Sequence, residues 1–162
     1  MKMPRPLHRW DLSPEEAVKV QQKLAAKVTL RPLPEKIRLV AGADMALSKE
    51  EGLFFAAVVV LRYPELELVE ERAARAEARF PYVPGLLSFR EAPVVLDAVS
   101  KLQSEPDVLI CDGQGVAHPR RIGLASHLGL WLRMPTIGCA KSRLIGEHRA
   151  PGRKGGSWAP LK

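Results

Sequence analysis

The chain has no asparagine, four glutamines and two cysteines in 162 residues. Cys111 and Cys139 lie in apolar runs and read as a buried, reduced pair. So few thiols exclude a disulfide framework, and a zinc site would need more ligands at tighter spacing. No apolar run reaches membrane length. Leu53 to Leu61 is the longest, about half of the ~20 residues a spanning helix requires. The opening stretch, MKMPRPLHRWDLS, carries no apolar h-region, so it does not read as a secretory signal, and a cytoplasmic location is expected. Gly-x-Gly-x-x-Gly and a P-loop lysine are also missing, so a nucleotide fingerprint is not supported. The lack of asparagine, beside 15 Arg and 14 Pro, is the composition a heat-adapted protein would show.

What is present describes a folded domain. Apolar residues make up 46% and charged residues 27% of a 17.9 kDa chain, the proportions of ordinary globular proteins. Net charge is +7 with a pI near 9.7, which favours an anionic partner. The excess is uneven. Residues 1–140 hold 19 Lys/Arg against 17 Asp/Glu, a net of +2, whereas residues 141–162 hold six against Glu147 alone, a net of +5.

Local patterns place the elements. Ser13-Pro14-Glu15-Glu16 is a helix start with a capping box, and Ala17, Val20, Leu24 and Val28 keep helical spacing over about 14–30 until Pro32 stops it. Ile37 to Ala46 reads as a buried strand, Leu53 to Arg62 as a second and Leu66 to Arg72 as a third. A helix is predicted over Phe89–Leu102, a strand over Asp107–Cys111, a helix over Ile122–Leu132 and a strand over Thr136–Ala140. Three strands followed by strand–helix alternation indicate an α/β fold with a mixed sheet. Gly146 to Lys162 is Gly-, Pro- and charge-rich and reads as a loop. The predicted organisation is a domain over 1–145 and a basic tail over 146–162.

Asp44 and Asp112 each close an apolar strand, where α/β sheets gather ligand-binding groups. One such aspartate is commonly a solvated turn residue. Two on separate strands, with Glu91 as a third carboxylate, point to a metal site. Without histidine or cysteine the set favours a hard cation, Mg²⁺ or Mn²⁺. Glu91 also fits a second capping box with Ser88. Lys141 closes the last strand, as a surface lysine or as a charge for a phosphate. Gly113 and Gly115 form a tight turn suited to close backbone approach. His118 lies on the following loop, structural or facing substrate. Pro81-Tyr82-Val83-Pro84 sets an aromatic on a stiff loop, as a packed turn or as a wedge into a base stack.

Five segments together resemble endonuclease V, the deoxyinosine-directed nuclease. They are Val40–Asp44, Pro81–Glu91, Asp112–Arg121, Gly123–Gly129 and Gly138–Ser142. The resemblance implies a ribonuclease H-like mixed sheet flanked by helices. It implies Mg²⁺ held by Asp44, Glu91 and Asp112, with Mn²⁺ as substitute, and Lys141 and His118 near the scissile phosphate and substrate. It implies Tyr82 as a wedge and a flipped base read by backbone groups around Gly85, Leu87, Gly113, Gly115 and Leu144. The implied reaction is hydrolysis of the second phosphodiester bond 3′ to a deaminated base in DNA. Cleavage of inosine-containing RNA or of DNA structure, and a catalytically impaired lesion-binding module, are the alternatives. Gln114 stands where many members carry histidine. The family continues past a Gly-Ser-Trp segment into further strands, a Gly-His-Arg motif and a helix, so the C-terminal strands and helix are expected to be missing from a chain that ends at Lys162.

Overall fold

The computed structural model describes residues 1–162. Helix α1 (Pro14–Ala25) begins as its capping chemistry requires. Ser13 Oγ accepts from the Glu16 N–H, and the Glu16 carboxylate accepts from the Ser13 N–H, satisfying two otherwise orphaned donors. The helix ends earlier than the spacing predicts. The Lys27 and Val28 N–H groups donate to Leu24 and Ala25, a tightened turn, and the β-branched pair Val28-Thr29 favours leaving the helix.

Strands β1 (Leu39–Ser48), β2 (Leu53–Arg62) and β3 (Glu67–Glu77) form an antiparallel meander. Helix α2 (Leu87–Ser100) leads to β4 (Val108–Cys111), and α3 (Leu124–Leu132) leads to β5 (Thr136–Gly138). The sheet order is β3-β2-β1-β4-β5, with β1, β4 and β5 mutually parallel. The expected mixed α/β sheet is therefore present. β3 runs five residues past its predicted end because its ladder follows β2 down to the Leu53–Glu77 pair.

Strand alternation decides where the core lies. Ala41, Ala43, Phe54, Ala56, Val58, Val60, Leu109 and Cys111 point to the face covered by α2 and α3, where they meet Val95, Val99, Leu128 and Trp131. Each fully buried Val or Leu there contributes about 1.5–3 kcal/mol. The opposite face is open: Phe55 and Ile137 are each 40% exposed. Of the two cysteines only Cys111 is buried, its thiol pushed up to about 12 by desolvation, while Cys139 is exposed just beyond the short edge strand. The expected buried pair is thus corrected. No helix is long and apolar enough to cross a membrane. Residues 146–162 contain no regular element, though Glu147 and Lys162 exchange two backbone hydrogen bonds.

Candidate active site

The parallel β1–β4 ladder ends at the Ala43–Cys111 pair, and one further bond, from the Asp112 N–H to the Ala43 carbonyl at 3.1 Å, carries it to the next residue. Asp44 and Asp112 thereby stand side by side where the two strands part. Asp44 lies within β1 rather than near its end, because the β1–β2 hairpin continues to Ser48. Glu91 is supplied by the second turn of α2. It is half-buried and its carboxyl is pushed up to about 7, chiefly by desolvation; Arg90 opposes the shift and the charges of Asp112 and Asp44 add to it. Three elements thus bring three carboxylates within electrostatic reach of one another.

Lys141 completes the group. Its Nζ lies 2.7 Å from Asp112 Oδ2. That hydrogen bond and the charges of Asp112 and Asp44 hold the ammonium above its ordinary pKa. Lys141 reaches this position from an irregular segment three residues beyond β5, not from the strand end predicted for it. With the ammonium on Asp112, no three His, Cys, Asp or Glu side chains stand at metal-holding separations. The donor set nevertheless suits a hard divalent cation. It is all oxygen, it gathers at one sheet end, and a cation would relieve the mutual repulsion that helps raise the Glu91 pKa.

Beside Asp112 the chain turns tightly through Gly113, Gln114 and Gly115. A Cβ on Gly138 would lie 2.5 Å from the Gly115 nitrogen and 2.6 Å from the Gly113 oxygen, so the turn rests directly on the β5 backbone. Gln114 Nε2 donates to the Ser142 carbonyl at 2.7 Å and ties the turn to the Lys141 segment. A groove of about 350 Å³ opens here, lined by Gln114, Lys141, Arg143 and His148. Its cationic walls lie next to the carboxylates, an arrangement that suits a phosphate. Leu144 lies on this exposed segment.

On the other side stands the Phe80–Leu86 loop. Tyr82 is 71% exposed, while Phe80 and Leu86 anchor the loop against Ala17 and Phe89. Gly85 has φ +78, and Leu87 opens α2 half in solvent. His118 does not face solvent: it is 4% exposed. Its Nδ1 accepts from the Arg120 N–H at 3.2 Å, so its Nε2–H donates to the Gly85 carbonyl at 3.1 Å. Burial and the Arg120 charge lower the pKa of the ring, opposed by its hydrogen bond to Gly85. The structure thus joins Gly85 to His118 and Asp112 to Lys141.

The second predicted capping box does not form. Leu86, which has no polar side-chain atom, is the N-cap of α2, so no side chain caps it, and Ser88 lies inside the first turn, engaged elsewhere. His8 Nδ1 must donate to the Arg9 carbonyl at 2.6 Å, so its Nε2 accepts from His127 Nε2–H at 2.8 Å. His127 Nδ1 then accepts the Ser88 hydroxyl at 3.0 Å. The chain of tautomers runs from the first turn of α2 to the N-terminal segment, which Trp10 seals by stacking on Trp131 with centroids 4.5 Å apart. Motif reading found the carboxylates but missed this support, since no local signal pairs residues 119 positions apart.

A mixed sheet with one carboxylate on each of two neighbouring parallel strands where their shared ladder stops, and a third from the adjoining helix, is a ribonuclease H-like nuclease arrangement. Comparison with known proteins narrows the class. The Endonuclease V family model matches residues 22–162. Endonuclease V of Dehalococcoides mccartyi is 52% identical over 155 residues, covering 96% of this chain and 70% of the relative. The crystal structure of Endonuclease V from Streptomyces avermitilis superposes with a TM-score of 0.89 at 46% identity, covering 94% of this chain and 68% of that one. Ciona intestinalis Endonuclease V, solved with a 24mer DNA containing an inosine followed by a ribo-adenosine, gives 0.74 at 34% identity over 82% of this chain and 59% of that one. The chain belongs to the endonuclease V family, and it is shorter than these relatives.

Proposed function

We propose that this chain is a divalent-metal-dependent endonuclease for DNA containing deoxyinosine, hydrolysing the second phosphodiester bond 3′ to the deaminated base. The observation that carries the reading is the convergence of Asp44, Glu91 and Asp112 beside Lys141, in a family with a member solved on inosine DNA. Asp44, Glu91 and Asp112 would hold Mg²⁺, or Mn²⁺ in its place. A bound divalent cation there supplies an activated water and neutralises charge on the leaving oxygen. Lys141 can move from Asp112 to a phosphate oxygen, a direct exchange of one anionic partner for another. The groove lined by Lys141, Arg143 and His148 receives the strand, its positive charge supplied by Lys141 and Arg143, and exposed Tyr82 fills the space a displaced base leaves. Backbone groups of Gly85, Leu87, Gly113, Gly115 and Leu144 would line the base pocket, with His118 bracing it. Residues 1–145 form the ribonuclease H-like unit in this reading and 146–162 a basic connector. Its support is that every proposed metal-holding, catalytic and base-reading residue precedes position 146.

The test is nicking of a deoxyinosine duplex with Mg²⁺, with product ends mapped at single-nucleotide resolution. Asp44→Ala and Asp112→Ala are expected to lose about 100-fold or more in rate while retaining the fold by circular dichroism. Wild-type rates in both variants would overturn the site. Binding without cleavage at high Mg²⁺ would overturn the enzymatic reading in favour of a lesion-binding module. Faster cleavage of an inosine-containing RNA would overturn the DNA preference.

A further inference from the structure

Gln21 is on α1, far in sequence from every residue placed in the site, yet only 1% of it is exposed. A buried amide costs free energy unless its hydrogen-bonding groups are satisfied. This one is satisfied by Gly85, in the proposed base pocket, and by the loop that follows the Gly113–Gly115 turn. One Nε2 hydrogen goes to the Gly85 carbonyl at 3.0 Å and the other to the Ile122 carbonyl at 3.1 Å. Its Oε1 accepts from Arg120 Nε. Arg120 Nη2 donates to the same Gly85 carbonyl at 2.7 Å, and the third donor there is His118 Nε2. One oxygen therefore receives donors from α1 and from the loop after the Gly113–Gly115 turn.

Two consequences follow. A carbonyl already engaged by three donors has no lone pair left for a ligand, so Gly85 can present a base with its N–H but not with its oxygen. The position must also stay glycine, because its φ of +78 is left-handed and a Cβ would lie 2.7 Å from Arg120 Nη2.

We propose that Gln21 and Arg120 are positioning residues for base recognition. Together they latch the Tyr82 loop to the loop that follows Asp112 and so fix the width of the pocket between them. Neither touches the carboxylates, so the latch acts on substrate capture rather than on the hydrolytic step. The inference rests on the proposed function only for what the pocket holds; the latch itself is a property of the free protein.

Gln21→Met keeps the volume and removes every hydrogen bond; Arg120→Lys keeps the charge and removes the fork. Hydrogen–deuterium exchange on the free full chain reads the latch without substrate. In Gln21→Met, peptides over 80–86 and 116–123 are expected to exchange about tenfold faster, with β1, β2 and β4 unchanged. Steady-state kinetics on the deoxyinosine duplex are expected to show KM raised about tenfold and kcat within about threefold of wild type. Unchanged exchange in both variants, or a fall in kcat at constant KM, would overturn the proposal. Arg120→Lys carries the same test at a half-exposed site should Gln21→Met fail to fold. A wild-type chain that does not nick deoxyinosine overturns the proposed function, and the exchange measurement still decides the latch.

Discussion

His8 and His127 meet through their Nε2 atoms with one proton between them, and each remaining nitrogen is committed to Arg9 or Ser88. Desolvation lowers both pKa values, that of His127 to about 3, which favours neutral rings. A histidine whose folded pKa lies below its unfolded value of about 6.5 stabilises the fold above that pH and loses the contribution as pH falls. The midpoint of urea unfolding is accordingly expected to decrease from pH 7 toward pH 4, and His8→Phe should flatten that dependence. An equally steep profile in the variant would show that His8 is not responsible. Lys141 differs in kind. Its side chain is 84% exposed, so its pair with Asp112 adds little to stability. Lys141→Met is expected to lower kcat about 100-fold or more with the thermal midpoint unchanged, measured by single-turnover nicking and calorimetry.

At the scale of elements, the site depends on how closely backbones approach. The Gly113–Gly115 turn lies against β5 at Gly138 with no room for a methyl group. Gly138→Ala must push the turn, and with it Asp112, out of place. The expected cost is about 1–3 kcal/mol in chemical denaturation, with loss of nicking. Helix α1 shows what sequence periodicity could and could not tell. Its spacing and capping box marked where it begins, and Ala17 and Leu24 are buried as their period requires. The position between them on that buried face is Gln21, a polar residue that an apolar-face count passes over in favour of Val20. The signal was there, at i+4 from Ala17, but its meaning required the two carbonyls it meets. Helix α2 shows the reverse. Ser88 and Glu91 have capping-box spacing, yet the helix begins one residue earlier at Leu87, so the buried Ser88 lies inside its first turn and its hydroxyl serves the buried His127 nitrogen instead.

Across the whole molecule, charge and layering matter most. Of the six basic residues that give 141–162 its net of +5, Lys141 and Arg143 line the groove. Binding to an inosine duplex is therefore expected to weaken about tenfold or more between 50 and 200 mM salt. Arg143→Ala should reduce the slope of log affinity against log salt, read by fluorescence anisotropy. A flat salt profile would remove phosphate contact from the account. Only one face of the sheet carries helices α2 and α3. The other holds Phe55, Ala57 and Ile137 in partial contact with solvent, in a chain shorter than its relatives.

The sequence by itself determined the existence and order of the elements and named the three carboxylates and Lys141. Helix caps, alternation and strand-end aspartates are short-range signals, written in consecutive residues. Only the tertiary structure decided which groups meet. It placed His118 under Gly85 rather than toward solvent, turned Ser88 to His127, and made Gln21 a link between two loops. Those contacts join residues far apart in the chain, and burial chooses them: a polar group taken out of water must find a partner wherever packing supplies one.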